Sequence, residues 1–167
     1  MAAMITGNVD GAMVNPPNNI ILREKGFREI VGAKQLKEMN LRFPENGVMA
    51  KRTWAEKNAD VVKRFIKSLA EALKRMHDDK EFAIKTLGKY TKVTDAKSLD
   101  ESYRWAIDSF YNDFKTPPEA MRLMVDQLAS SRMIDLNLAQ KTPLTAYYEN
   151  RYVEELEREG FFKKLWQ

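Results

Sequence analysis

Between residues 53 and 76 apolar positions recur at intervals of three and four: Val62, Phe65, Ile66, Leu69, Leu73 and Met76. Lys63, Arg64, Lys67, Glu71 and Lys74 fill the positions between them, the period of an amphipathic helix. Thr53-Trp54-Ala55-Glu56 reads as a capping box at its start, and Asn58 offers a second cap before Ala59. The same period predicts helices over residues 80–89 (Phe82, Ile84, Leu87), 96–112 (Leu99, Tyr103, Ile107, Phe110) and 148–159. Thr94 or Asp95 caps the second of these, and Gly160 stops the last. Pro117-Pro118-Glu119 opens another helix, carrying Met121, Met124, Val125 and Leu128. Residues 131–146 read as a polar connector, and the apolar run 161–166 as a docking tail.

The first 32 residues carry a different pattern. Residues 1–6 suit the tail of a short helix stopped by Gly7. Residues 8–14 are small and apolar, contain Gly11 and lack clean alternation, which predicts a strand covered on both faces. Asn15-Pro16-Pro17 predicts a helix start with Asn15 as cap, Gly26 ends that helix, and residues 27–31 predict a second strand. Strand, crossover helix and strand make a short βαβ unit. Residues 33–50 are less regular, with turn chemistry from Arg42 to Gly47 and a third strand over 48–50. The expected fold class is therefore α/β and helix-rich, a βαβ unit followed by about five helices.

Composition narrows the chemistry. The 167 residues include 28 Lys plus Arg and 24 Asp plus Glu, a net charge of +4 that is interspersed rather than blocked. Nucleic acid is accordingly not expected as a partner. With no cysteine and one histidine, the chain has no disulfide, thiol nucleophile, thiolate metal site or multi-histidine centre of its own, and neither metal nor cofactor is expected. No apolar run approaches the roughly 18 residues of a membrane helix, so direct membrane insertion is not expected.

Several segments resemble one family. Gly7-Asn8-Val9-Asp10-Gly11-Ala12, then Asn15-Pro16-Pro17 with Gly26-Phe27-Arg28, then Lys57-Asn58-Ala59-Asp60-Val61-Val62-Lys63-Arg64-Phe65 follow in order. Asp79-Lys80-Glu81-Phe82-Ala83-Ile84, Lys89-Tyr90-Thr91 and the closing stretch 147–165 complete the set. Together they resemble the substrate-binding proteins of ABC transporters of the nitrate, sulfonate and taurine type. That resemblance implies a type II periplasmic-binding-protein fold, in which two α/β lobes clamp a small solute and then dock on a permease. On this reading residues 1–40 are the end of the second lobe and 41–52 the hinge-crossing segment. Residues 53–167 are the C-terminal helices that pack on a first lobe largely missing from the chain.

Within that frame the ligand-binding candidates are Asn15, Pro16, Asn18, Asn46 and Gly47. A turn opening a helix outside the carboxyl end of a strand suits a polar or anionic solute. Pro16 and Pro17 remove two N–H donors, leaving the Asn15 and Asn18 amides to make contacts. The same turn serves equally as a helix cap without a ligand, and Asn46-Gly47 as a plain surface turn. His77 with Asp78-Asp79 reads as an ordinary helix end rather than a metal pair. Relatives that make a thiamin pyrimidine use an active histidine and a cysteine-rich segment; without cysteine the chain is expected not to be an enzyme. The aromatics Trp54, Tyr103, Trp105, Phe110, Tyr111 and Phe114 have helical spacing and are expected in cores.

The expected function is thus the solute-binding component, in fragment, of a periplasmic uptake system for a sulfonate, nitrate or pyrimidine precursor. Its partners would be the solute, bound only together with the missing lobe, and an ABC permease. The alternative is a stand-alone helical interaction module that forms a homodimer through exposed apolar surface.

Overall fold

A computed structural model describes residues 1–39 and 47–167. The chain is helix-rich, and its elements run α1 (Ala2–Ile5), α2 (Asn18–Glu24), α3 (Ala33–Glu38), α4 (Arg52–Lys57), α5 (Ala59–Asp78) and α6 (Lys80–Thr91). Then come α7 (Ala96–Ser109), α8 (Pro118–Ser130), α9 (Leu136–Lys141), a 3₁₀ turn (Leu144–Ala146), α10 (Arg151–Arg158) and α11 (Phe161–Leu165). It divides into two compact units, each drawn from two stretches: residues 1–32 with 72–111, and residues 33–71 with 112–167.

In the first unit the α6–α7 hairpin packs closely because Gly88 lies under the next helix. A Cβ on Gly88 would meet the Val93 carbonyl at 3.2 Å and Leu99 Cδ1 at 3.3 Å. Both helices start on aspartate caps: Asp79 accepts from Phe82 N, and Asp95 accepts from Ser98 N at 2.7 Å. Lys80 reaches Asp100 at 2.6 Å, and the Tyr103 hydroxyl donates to the Met76 carbonyl. Helix α2 buries Ile20 and Leu22. It is tied to α7 by the ion pairs Arg23–Glu101 and Glu24–Lys97.

The second unit has its core on α8. Val125 and Ala129 meet Ala139 of α9, with Met121, Ile134 and Leu144 packed around them. Helix α10 turns Tyr152, Val153 and Leu156 inward, while Glu155 and Glu159 grip Lys63 of α5 at 3.3 and 3.0 Å. Phe162 of α11 stacks on Phe114, ring centroids 5.9 Å apart. Phe114 has a positive φ of 53°, unusual for a bulky residue, and this stack fills the space beside it.

Among the described residues there is no β-strand, so the expected βαβ unit is not formed. Residues 9–14 make no backbone hydrogen bond among the described residues, and 27–31 and 47–50 are likewise irregular. A strand's backbone groups need a neighbouring strand, and two short segments with Gly11 between Asp10 and Ala12 lack the cross-strand contacts that would hold one alone.

Helix boundaries shift as well. Pro17, not Asn15, is the cap of α2, and Lys51 precedes α4, so Thr53 lies inside the helix instead of capping it. The stretches expected to be irregular contain α3, α9 and the 3₁₀ turn. The α9 helix starts on an aspartate cap that the sequence offers plainly: Asp135 accepts from Leu138 N. The expected aromatic core is only partly realised. Trp105 meets Phe110 edge-on at 6.5 Å, while Trp54, Phe110 and Tyr111 stay exposed.

Leu156 is fully buried and Phe65 is 47% exposed, although both sit on apolar helix stripes. Leu156→Ala should lower the free energy of unfolding in urea by about 2–5 kcal/mol. Phe65→Ala should lower it by less than about 1 kcal/mol.

Candidate functional site

The turn at residues 15–18 is a helix entry on the surface. The Asn15 carbonyl accepts from Asn18 N at 2.9 Å, and the side-chain oxygen of Asn19 accepts from Ile20 N. Asn15 and Asn18 are exposed and Pro16 is half-buried. The side chain of Asn15 makes no capping bond, because Pro16 and Pro17 carry the chain past it before the helix begins. Gly47 is exposed with open space where a side chain would point, so no close backbone approach explains it. Asn46 and Arg42 lie outside the described residues. His77 falls within the last turn of α5 rather than after it. No group of three metal-ligating side chains occurs among the described residues, nor is any described helix long and apolar enough to cross a membrane.

A concavity lies elsewhere, in the second unit. An open groove of about 770 Å³ runs between the start of α8 and the start of α10. Its frame is a two-way clasp: Thr116 N donates to Asn150 Oδ1 at 2.9 Å, and Asn150 Nδ2 donates to the Thr116 carbonyl at 3.0 Å. One asparagine amide thus satisfies both backbone groups of a residue 34 positions away. Pro117 and Pro118 then open α8, and Tyr148 with Thr145 forms the opposite wall.

The groove's cations are each held by a partner. Lys115 Nζ pairs with Glu157 at 2.9 Å, a hydrogen bond that raises its pKa above lysine's ordinary 10.5. The Tyr152 hydroxyl at 3.0 Å, then the Glu149 charge, raise that of Arg151. Arg52 donates to the Ala146 carbonyl at 3.2 Å and pairs with Glu149 at 3.4 Å. Against these three cations the lining sets four carboxylates, Asp113, Glu119, Glu149 and Glu154. Such a lining is polar and of mixed sign, and lacks the cationic excess that an anionic solute would need.

Asn15, Pro16, Asn18 and Gly47 do not line this groove. The sequence marks one of its parts, Pro117-Pro118-Glu119 as a helix start, whereas Asn150 falls inside the helix expected over 148–159, and α10 begins only at Arg151. Nothing in the pattern joins 116 to 150, because that link is a tertiary hydrogen bond. In comparisons with known proteins, no protein-family model, no curated protein and no solved structure matches the chain.

Two expected outcomes follow from these contacts. Asn150→Ala leaves a partly buried N–H and C=O without partners and should lower unfolding free energy by about 1–3 kcal/mol in chemical denaturation. Stability should also fall at both pH extremes. The Ser98 backbone N–H lowers the pKa of Asp95, hydrogen bonding from Lys80 that of Asp100, and hydrogen bonding from Lys63 that of Glu159. Their contribution is present above the ordinary carboxylate values of 3.8 and 4.5 and lost as pH falls through the depressed folded values. Lys63 and Lys115 are raised above 10.5, so their contribution is lost as pH rises through the folded values. Thermal melts across pH should show a plateau between these limbs, with a shallower acid limb in Glu159→Gln.

Proposed function

We propose that this chain is part of the solute-binding component of an ABC-type uptake system, acting in the periplasm on a small organic or anionic solute and not as an enzyme. The observation that carries the reading is the ordered set of segments shared with binding proteins of the nitrate, sulfonate and taurine type. Several helix boundaries fall on those segments and support it. Asn58 separates α4 from α5, Asp79 caps α6, Gly26 follows α2 with φ 86°, and Gly160 follows α10 with φ 76°. Exposed apolar side chains add support where strands were expected: Val9, Met13, Ile30, Val31, Val48 and Met49 are all exposed. A surrounding sheet would cover them.

In this reading residues 1–40 belong to the second lobe, 41–52 cross the hinge and 53–167 pack on the first lobe. Asn15, Pro16, Asn18, Asn46 and Gly47 face the solute from one side of the cleft. Selectivity for the closed state arises because the solute bridges two lobes, and the closed form then docks on the permease. The mixed-charge groove at Asn150 is not the solute site of this scheme.

A second reading, a helical module that self-associates, draws on Val61, Phe65 and Leu69. These residues are spaced by four along α5 and exposed.

Thermal-shift and calorimetric titrations with taurine, nitrate and a hydroxymethylpyrimidine test the proposal. They should be run on the 167-residue chain and on a protein extended through any in-frame coding sequence upstream of Met1. The extended protein should gain about 2.7 kcal/mol of stability with one of these solutes at a hundred times its dissociation constant. The 167-residue chain should gain none. Micromolar binding by the 167-residue chain alone would overturn the two-lobe assignment, and an extended protein that responds to none would favour the self-associating module.

A further inference from the structure

We propose that the outer face of α6 docks an amphipathic acidic helix of a protein partner, whose carboxylates meet Lys85, Lys89 and Lys92. The face lies in the first unit, and neither functional reading above uses it.

Three observations converge there. The first is uncompensated charge. Residues 82–94 contain three lysines and no carboxylate. Among the described residues none of the three makes an ion pair, whereas the neighbouring Lys74, Arg75, Lys80 and Arg104 are held by Asp78, Asp79 and Asp100. The second is apolar exposure on the same helix, with Phe82 at 48% and Tyr90 at 75%. These two side chains stand one turn either side of Thr86, about 12 Å apart along the helix axis. The third is alignment. Lys85 and Lys89 follow one edge of that face a single turn apart, and Lys92 continues the row past the helix end with φ 61°. The negative end of the helix dipole accounts for Lys89 and Lys92 but not for the exposed rings beside them.

The rings and the lysine spacing select the occupant. Arg75 stands over the Phe82 ring at 5.0 Å, and Lys89 over the Tyr90 ring at 5.3 Å. A stacked nucleobase would have to displace these cations, and residues 82–94 offer no arginine fork for a phosphate. Two rings separated by Thr86 give too little continuous apolar surface to hold the helix in a bilayer interface. A partner helix with carboxylates at i, i+4 and i+7 matches the lysine spacing of four and three. Its apolar side chains then sit over Thr86 between the two rings, while its carboxylates take up the three ammonium groups.

Fluorescence anisotropy of a labelled helical peptide, with glutamate at i, i+4 and i+7 and leucine between, titrated with the full chain, tests this. Saturable binding that weakens in high salt is expected. Lys85→Glu combined with Lys89→Glu should weaken it about tenfold or more, and this double variant should instead bind the peptide whose glutamates are replaced by lysine. Tyr90→Ala should weaken binding severalfold. All three positions are exposed, so far-ultraviolet circular dichroism and the melting temperature should stay close to those of the parent chain. Labelled oligothymidylate and phosphatidylserine vesicles serve as competing probes. Absence of saturable peptide binding up to millimolar concentration overturns the proposal, as does binding that the double variant retains unchanged. Binding of oligothymidylate tighter than that of the peptide, and lost in the double variant, would overturn it in favour of single-stranded nucleic acid. The same result with the vesicles would overturn it in favour of an anionic membrane.

Discussion

The second unit is organised by a clasp between two peptide groups and one side chain. Asn150 donates to and accepts from the backbone of Thr116, which ties the entry of α8 to the entry of α10. With 116 and 150 held together, Pro118 starts α8 and Arg151 starts α10 on either side of a groove. The inward face of α10 then delivers Tyr152, Val153 and Leu156 to the interior. Its outward carboxylates meet lysines on other elements, Glu155 and Glu159 holding Lys63 and Glu157 holding Lys115. An amide is suited to this task because it carries a donor and an acceptor on one planar group, matching the C=O and N–H of a single residue.

Apolar surface is distributed unevenly. Helix α8 buries Ala120, Val125 and Ala129 and α10 buries Tyr152, Val153 and Leu156, whereas on α5 only Ala70 and Leu73 are buried and Phe65 and Leu69 face outward. The irregular segments around Met13, Ile30 and Met49 expose large side chains too. Surface of this kind lowers solubility unless something covers it. The solute-binding proposal, in which the remainder of the two lobes covers it, answers this physical demand.

The helical part was legible because its signals are local. Asp79 and Asp95 cap α6 and α7 through their own side chains, glycine follows α2 and α10 in the left-handed region, and Pro118 sits in the first turn of α8. Where expectation failed, the competing influence can be named. Residues 8–14 have strand composition but no neighbouring strand among the described residues. Asn15 was displaced as a cap by the two prolines that follow it. The polar look of 131–146 concealed α9, whose Ala139 alone reaches the core while Leu136 and Leu138 stay exposed. Of the candidate site, Pro117-Pro118 was legible as a helix start, but Asn150 fell inside the helix expected over 148–159, and its link to Thr116 could not be read.

The sequence by itself determined where the longer helices lie, that Gly26 and Gly160 stop two of them, and that thiol and multi-histidine chemistry are absent, since these depend on neighbouring residues or on composition. Only the tertiary structure decided which stripes are buried, that a Cβ on Gly88 would crowd the Val93 carbonyl and Leu99, and that Asn150 closes a groove on Thr116. Those outcomes depend on groups far apart in the chain meeting at hydrogen-bond or van der Waals distance, and no periodicity encodes such a meeting.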